Sequence, residues 1–145
     1  YPKWEEIPNI DLYLDQVLRY VNKVCSPRSL AKEKGLTASM VNNYVKNGYI
    51  SKPEKKKYQR KQIARLIAIS TLKAVFSIQE IAQTLNTLHT GTNSEELYNA
   101  FVDYMNEDID PANPIIQSSC QTVKLYHQTL ALVYTETQEE ETNEY

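Results

Sequence analysis

Apolar residues recur along most of the chain at spacings of three and four, the period of a helix with one buried face. The first stripe, Leu14, Val17, Leu18, Val21 and Cys25, predicts a helix over residues 11–24. Ser26 followed by Pro27 reads as an N-cap with proline at the first helical position, opening a short helix that carries Leu30 and Ala31 and ends near Lys34. Thr37 caps the next helix, which runs to about residue 47. It turns Met40, Val41, Tyr44 and Val45 inward and Ser39, Asn42, Asn43 and Lys46 outward. Residues 60–75 are apolar nearly all round after their first turn, which predicts the buried centre of the fold.

Ser77 and Glu80 form a capping box ahead of a helix bearing Ile78, Ile81, Ala82, Leu85 and Leu88. Asn93 and Glu96 read as a second box, with Leu97, Ala100, Phe101, Tyr104 and Met105 inward before Pro111 and Pro114 interrupt the chain. Along residues 116–134, Ile116, Cys120, Val123, His127, Leu130 and Tyr134 alternate by four and three, a heptad-like seam suited to pairing with another helix. The Glu- and Thr-rich tail beyond Thr135 is expected to fray.

The three glycines, Gly35, Gly48 and Gly91, each follow an apolar stretch, where a left-handed residue closes a helix. Between Ile50 and Tyr58 lies a short polar run containing Pro53 and Lys55, Lys56 and Lys57, expected to form a small hairpin or wing. The expected class is thus mainly all-α, with very little β beyond the wing. The predicted organisation is an N-terminal helix plus a winged helix-turn-helix over residues 1–90, followed by a helical region for packing or dimerisation with an acidic tail over residues 91–145.

Charge sharpens this picture. The chain's net charge is −2, but residues 23–65 hold 12 Lys or Arg against only Glu33 and Glu54, so acid dominates elsewhere. A basic block inside an acidic protein is the footprint of a face for polyanions, although a solvated charged surface is the plainer alternative. In a helix-turn-helix the second helix enters the major groove. Ser39, Asn42, Asn43 and Lys46, at i, i+3, i+4 and i+7, project from one side of that helix. Asn pairs bidentately with adenine, and Lys reaches guanine or phosphate. Lys55, Lys56, Lys57 and Arg60, with Tyr58 between them, are positioned to neutralise phosphates, and Arg28 adds a backbone contact.

Residues 30–81 resemble the winged-helix domain of MerR-type regulators through Ala31, Gly35-Leu36-Thr37, Asn42-Asn43-Tyr44, Gly48-Tyr49-Ile50, Lys57-Tyr58 and Phe76-Ser77-Ile78-Gln79-Glu80-Ile81. Asn42 stands where that family carries an arginine, and the wing is shorter. From Trp4-Glu5-Glu6-Ile7-Pro8 onward the chain also resembles an uncharacterised bacterial family, number 1836 among the domains of unknown function. The MerR resemblance implies a homodimer on pseudo-palindromic double-stranded DNA, dimer contacts from the C-terminal helices and often a small-molecule effector. It adds Thr37 and Tyr44 to the DNA-binding residues.

Other classes are disfavoured. There is no phosphate-binding glycine loop, and His89 and His127 have no triad or ligand set near them in sequence, so neither an enzyme nor a bound cofactor or metal is expected. Cys25 and Cys120 stand far apart without a zinc spacing, which points to a reducing cytoplasm. No run approaches the ~18 apolar residues of a membrane span. The expectation is a DNA-binding transcriptional regulator. The alternative is a protein-interaction module of the same fold without DNA binding.

Overall fold

A computed structural model of the chain describes residues 1–25 and 35–143, with side chains described as far as residue 137. The short helix expected over 26–34, with Leu30, Ala31 and the candidate Arg28, lies outside the described residues.

The fold is mainly helical. A 3₁₀ turn (Trp4–Glu6) precedes β1 (Leu12–Tyr13), α1 (Leu14–Cys25) and α2 (Ala38–Lys46). Then come β2 (Lys57–Tyr58), α3 (Arg60–Leu72), α4 (Ile78–Leu88), α5 (Ser94–Glu107) and α6 (Pro114–Asn143). α3 is the hub, with Ile63, Leu66, Ile67 and Ile69 fully buried and α1, α4, α5 and α6 packed around it. One hydrophobic cluster runs from Ile7 to Val123, across residues on both sides of position 90.

Most helix starts follow local chemistry. Thr37 Oγ1 accepts from the Met40 amide at 3.2 Å. Ser77 and Glu80 complete a reciprocal box, with the Glu80 carboxylate accepting from the Ser77 amide at 2.9 Å. These bonds to Ser77 hold the Glu80 carboxyl below its ordinary pKa. Asn93 caps α5 through the Glu96 amide at 2.8 Å. A reciprocal bond from Glu96, expected of a second box, is not formed. Pro114 occupies the first position of α6, where its missing N–H leaves no helical bond unmade.

Several expectations are corrected. α1 begins at Leu14 rather than residue 11 because Leu12 and Tyr13 are extended and pair antiparallel with Tyr58 and Lys57. The expected wing hairpin is therefore not closed on itself. Its strand pairs with the N-terminal segment, and only a single bridge, Glu54 to Lys57, spans its own turn. α3 stops at Leu72, leaving Val75 exposed in the turn that follows. α5 buries Tyr98 and Val102 together with Phe101 and Tyr104 of the expected stripe, and the N-terminal segment lies across Tyr98. There the Tyr98 hydroxyl donates to the Pro2 carbonyl at 2.7 Å and the Trp4 amide to Asn99 Oδ1 at 2.9 Å. The tail expected to fray continues as helix to Asn143.

The glycines divide. Gly48 (φ +77°) and Gly91 (φ +87°) adopt the expected left-handed backbone. Gly35 does not; it is small because a Cβ would overlap the Asn22 carboxamide. Asn22 uses that clearance to grip Leu36 at both backbone atoms, with Nδ2 donating to the carbonyl at 2.9 Å and Oδ1 accepting from the amide at 2.7 Å. The start of α2 is thereby tied to α1.

Candidate nucleic-acid interface

α2 separates its two faces cleanly. Val41 and Tyr44 are buried beneath it, while Ser39, Asn42, Asn43 and Lys46 are all exposed on the other side. The four candidate readers are thus brought together on one face over about two turns of helix. Among the described residues the Asn42 side chain has no hydrogen-bond partner, and its exposed carboxamide presents both donor and acceptor. Asn43 Oδ1 accepts instead from Asn47 Nδ2 at 2.7 Å. Asn47 is the residue that sequence reading passed over. Its spacing of four from Asn43 is the one available signal, since side chains so placed on a helix meet. Thr37 is exposed, but its hydroxyl is committed to capping.

Two candidates are corrected. Tyr44 and Tyr58 are each 3% exposed and belong to the core, so neither ring can reach a nucleic acid. Tyr44 packs edge-on to Tyr49, centroids 6.4 Å apart, beneath α2. Tyr58 is the strand residue facing inward opposite Leu12. Burial also raises the Tyr58 phenol's pKa.

The basic run divides in the same way. Lys55 and Lys56 are exposed at the tip of the turn, both with left-handed backbone (φ +49° and +66°). Lys57 is half-buried with its ammonium 5.3 Å from the Tyr13 ring centroid. Arg60 is half-buried, its Nε donating to the Ile7 carbonyl at 3.1 Å. These two brace the N-terminal segment as well as carrying charge.

Two side chains of α3 fix the backbone between the helix and the lysine turn. Arg65 Nε donates to the Tyr49 carbonyl at 2.7 Å, and Gln62 Nε2 to the Ser51 carbonyl at 2.8 Å. Gln62 is buried and also accepts from the Gln59 amide at 2.7 Å through Oε1. The segment that links the polar face of α2 to the lysines is thus held at Tyr49 and Ser51 by the hub helix. The arrangement offers hydrogen-bonding groups on a helix and exposed cations on a turn, the two kinds of contact that specify and position a duplex.

Among the described residues no cluster of three His, Cys, Asp or Glu side chains is placed to hold a metal ion. None of the described helices is long and apolar enough to cross a membrane. No curated protein and no solved structure is similar enough to match the chain. A family model does match, over residues 2–101, a span that runs from the N-terminal segment through α4 and into α5. The chain belongs to the family described as Domain of unknown function (DUF1836).

Proposed function

We propose that this chain is a DNA-binding transcriptional regulator of MerR-like winged helix-turn-helix type, working in the cytoplasm. In this reading α2 enters the major groove, where Asn42 pairs with a base edge and Ser39, Asn43 and Lys46 make neighbouring contacts. Lys55 and Lys56 grip phosphate on the flank, and Lys57 and Arg60 add positive potential. The observation that carries the reading is the two-faced α2, whose exposed polar quartet is backed by buried Val41 and Tyr44 in the middle of the chain's basic block.

The far half of α6 supports a homodimer. Leu125, Leu132, Val133 and Tyr134 are each more than half exposed, whereas Ile116, Cys120 and Val123 anchor the near half in the core. At about 1.5 Å per residue the helix is roughly 45 Å long, enough to reach beyond the body to a second copy. The same surface favours the second reading, in which the fold docks a different protein and binds no DNA.

Selection of bound fragments from a genomic library at two salt concentrations, followed by mobility shift, tests the proposal. Replacing Asn42, Asn43 and Lys46 with alanine is expected to abolish sequence preference. Replacing Lys55 and Lys56 is expected to weaken binding to every sequence and flatten its salt dependence. If both variants bind like the parent, or the parent retains no fragment at low salt, the DNA reading fails.

A further inference from the structure

A cavity of about 100 Å³ lies between α3, α4, α5 and α6, beside the N-terminal Trp4. Its walls are apolar, formed by residues such as Ala64, Ala68, Leu85 and Phe101. Its volume is of the order of the apolar cavities of about 150 Å³ that take up benzene. The lining has one further property: it includes Lys61, Arg65 and His89, and no Asp or Glu. Lys61 and His89 are exposed and Arg65 is half-buried, so the cations sit toward the solvent side of an apolar chamber.

We propose that this cavity binds a small apolar monocarboxylate, its hydrocarbon tail among the alanines and leucines and its carboxylate drawn to Lys61 and Arg65. Charge complementarity favours an anion over a neutral or cationic ligand of the same shape. Burial, Arg65 and Lys61 together depress the His89 pKa, as expected of a site with uncompensated positive potential. Cys120, 1% exposed in the lining, is an apolar wall rather than a nucleophile, since burial raises its thiol to about 12.

Arg65 gives the ligand a route to the rest of the fold. Its Nη2 donates to Asn86 Oδ1 at 3.3 Å on α4, while its Nε holds the Tyr49 carbonyl just beyond α2. A carboxylate competing with Asn86 for the guanidinium shifts the group that positions the end of α2. An effect on DNA affinity rests on the DNA-binding reading; ligand binding does not.

Trp4 is the only tryptophan in the chain and lines the cavity, so its fluorescence reports occupancy directly. The full chain is titrated with hexanoate and octanoate, and in parallel with hexanol, octanol and hexylammonium, all below their aggregation limits. The expected result is a saturable change with the carboxylates and binding about tenfold weaker for the alcohols, the loss of a charge-assisted hydrogen bond. Lys61→Glu, at an exposed position, is expected to reverse the preference toward hexylammonium. Ala68→Phe is expected to remove the response to every probe while leaving the far-UV circular dichroism unchanged. The proposal is overturned if alcohols bind as tightly as carboxylates, if no probe gives a saturable response, or if Lys61→Glu leaves the preference unaltered. Carboxylate binding with unchanged DNA affinity, in a chain that does bind DNA, overturns only the coupling through Arg65.

Discussion

The lysine turn makes two predictions of opposite sign from one pair of substitutions. Lys55 and Lys56 are consecutive left-handed residues, and the Lys57 amide closes back on the Glu54 carbonyl at 2.9 Å. Positive φ at both central positions defines a type I′ turn, which favours Asn-Gly. An L-residue with a Cβ in this region costs roughly 1–2 kcal/mol. Lys56→Gly removes that strain, while glycine's greater freedom in the unfolded chain returns about 0.5–1 kcal/mol. The net gain is about 0.5 kcal/mol. Lys55→Asn adds a few tenths, because Asn tolerates the left-handed region.

The double variant is therefore expected to be more stable by about 1 kcal/mol, or about 2–4 °C in Tm for a chain of this size. Urea denaturation followed by circular dichroism measures it, with Lys52→Gly as the control. Lys52 is exposed on the same loop without positive φ, so glycine there is expected to be neutral or destabilising. The same double variant removes two cations. Its DNA affinity is expected to fall, and the slope of log K against log salt to shrink by about 0.9 for each phosphate that the turn no longer neutralises. A double variant no more stable than the parent, or an equal gain from Lys52→Gly, would refute the strained turn.

Four further outcomes are expected. Gly35→Ala forces a Cβ into the Asn22 carboxamide and breaks its grip on Leu36. A loss of about 1–3 kcal/mol is expected, and a double-mutant cycle with Asn22→Ala should be far from additive. The His89 pKa is lowered from 6.5 by burial and by Arg65 and Lys61. Its contribution to stability is therefore present above pH 6.5 and lost as pH falls through the lowered folded-state value, and His89→Asn should flatten that limb in thermal melts across the range. Leu132→Glu with Tyr134→Lys removes exposed apolar groups from α6. Unfolding should move by no more than about 0.5 kcal/mol, while sedimentation should shift from dimer to monomer. Tyr44 is buried with no hydrogen-bond partner for its hydroxyl among the described residues. Tyr44→Phe should thus be neutral or stabilising by up to about 1 kcal/mol, with DNA affinity unchanged. A clear loss of affinity would return Tyr44 to the binding face.

Periodicity carries the described helices well, because each buries a stripe that the sequence writes at spacings of three and four. α3 stood out as the hub by having little polar surface after its first turn, and Ser77 with Glu80 announced α4 through a purely local bond. What periodicity did not carry was pairing over distance. Nothing near Leu12 and Tyr13 signals that Lys57 and Tyr58 will lie against them, so local spacing places one strand in a helix and the other in a hairpin. The same blindness leaves Tyr98 outside the expected stripe of α5, since the chain bonded to it comes from the other end of the sequence.

The candidate site was legible to the same degree and for the same reason. The outward face of α2 follows from its own spacing, and Tyr44 lay on the inward face by that rule; only the family resemblance set it among the DNA contacts. The other groups that hold the site were less visible. Asn22, Gln62 and Arg65 are polar residues that, in sequence, look like solvated helix faces, yet each is spent on a backbone atom at a distant position: Leu36, Ser51 and Tyr49. Their partners are carbonyls and an amide, which every residue possesses, so no residue type or spacing marks them. This division has a functional consequence. The side chains offered to a ligand are set by one helix, but the position of that helix is set by α1 and α3. Substitutions at Asn22 or Arg65 should therefore disturb the interface without touching any group that would contact DNA.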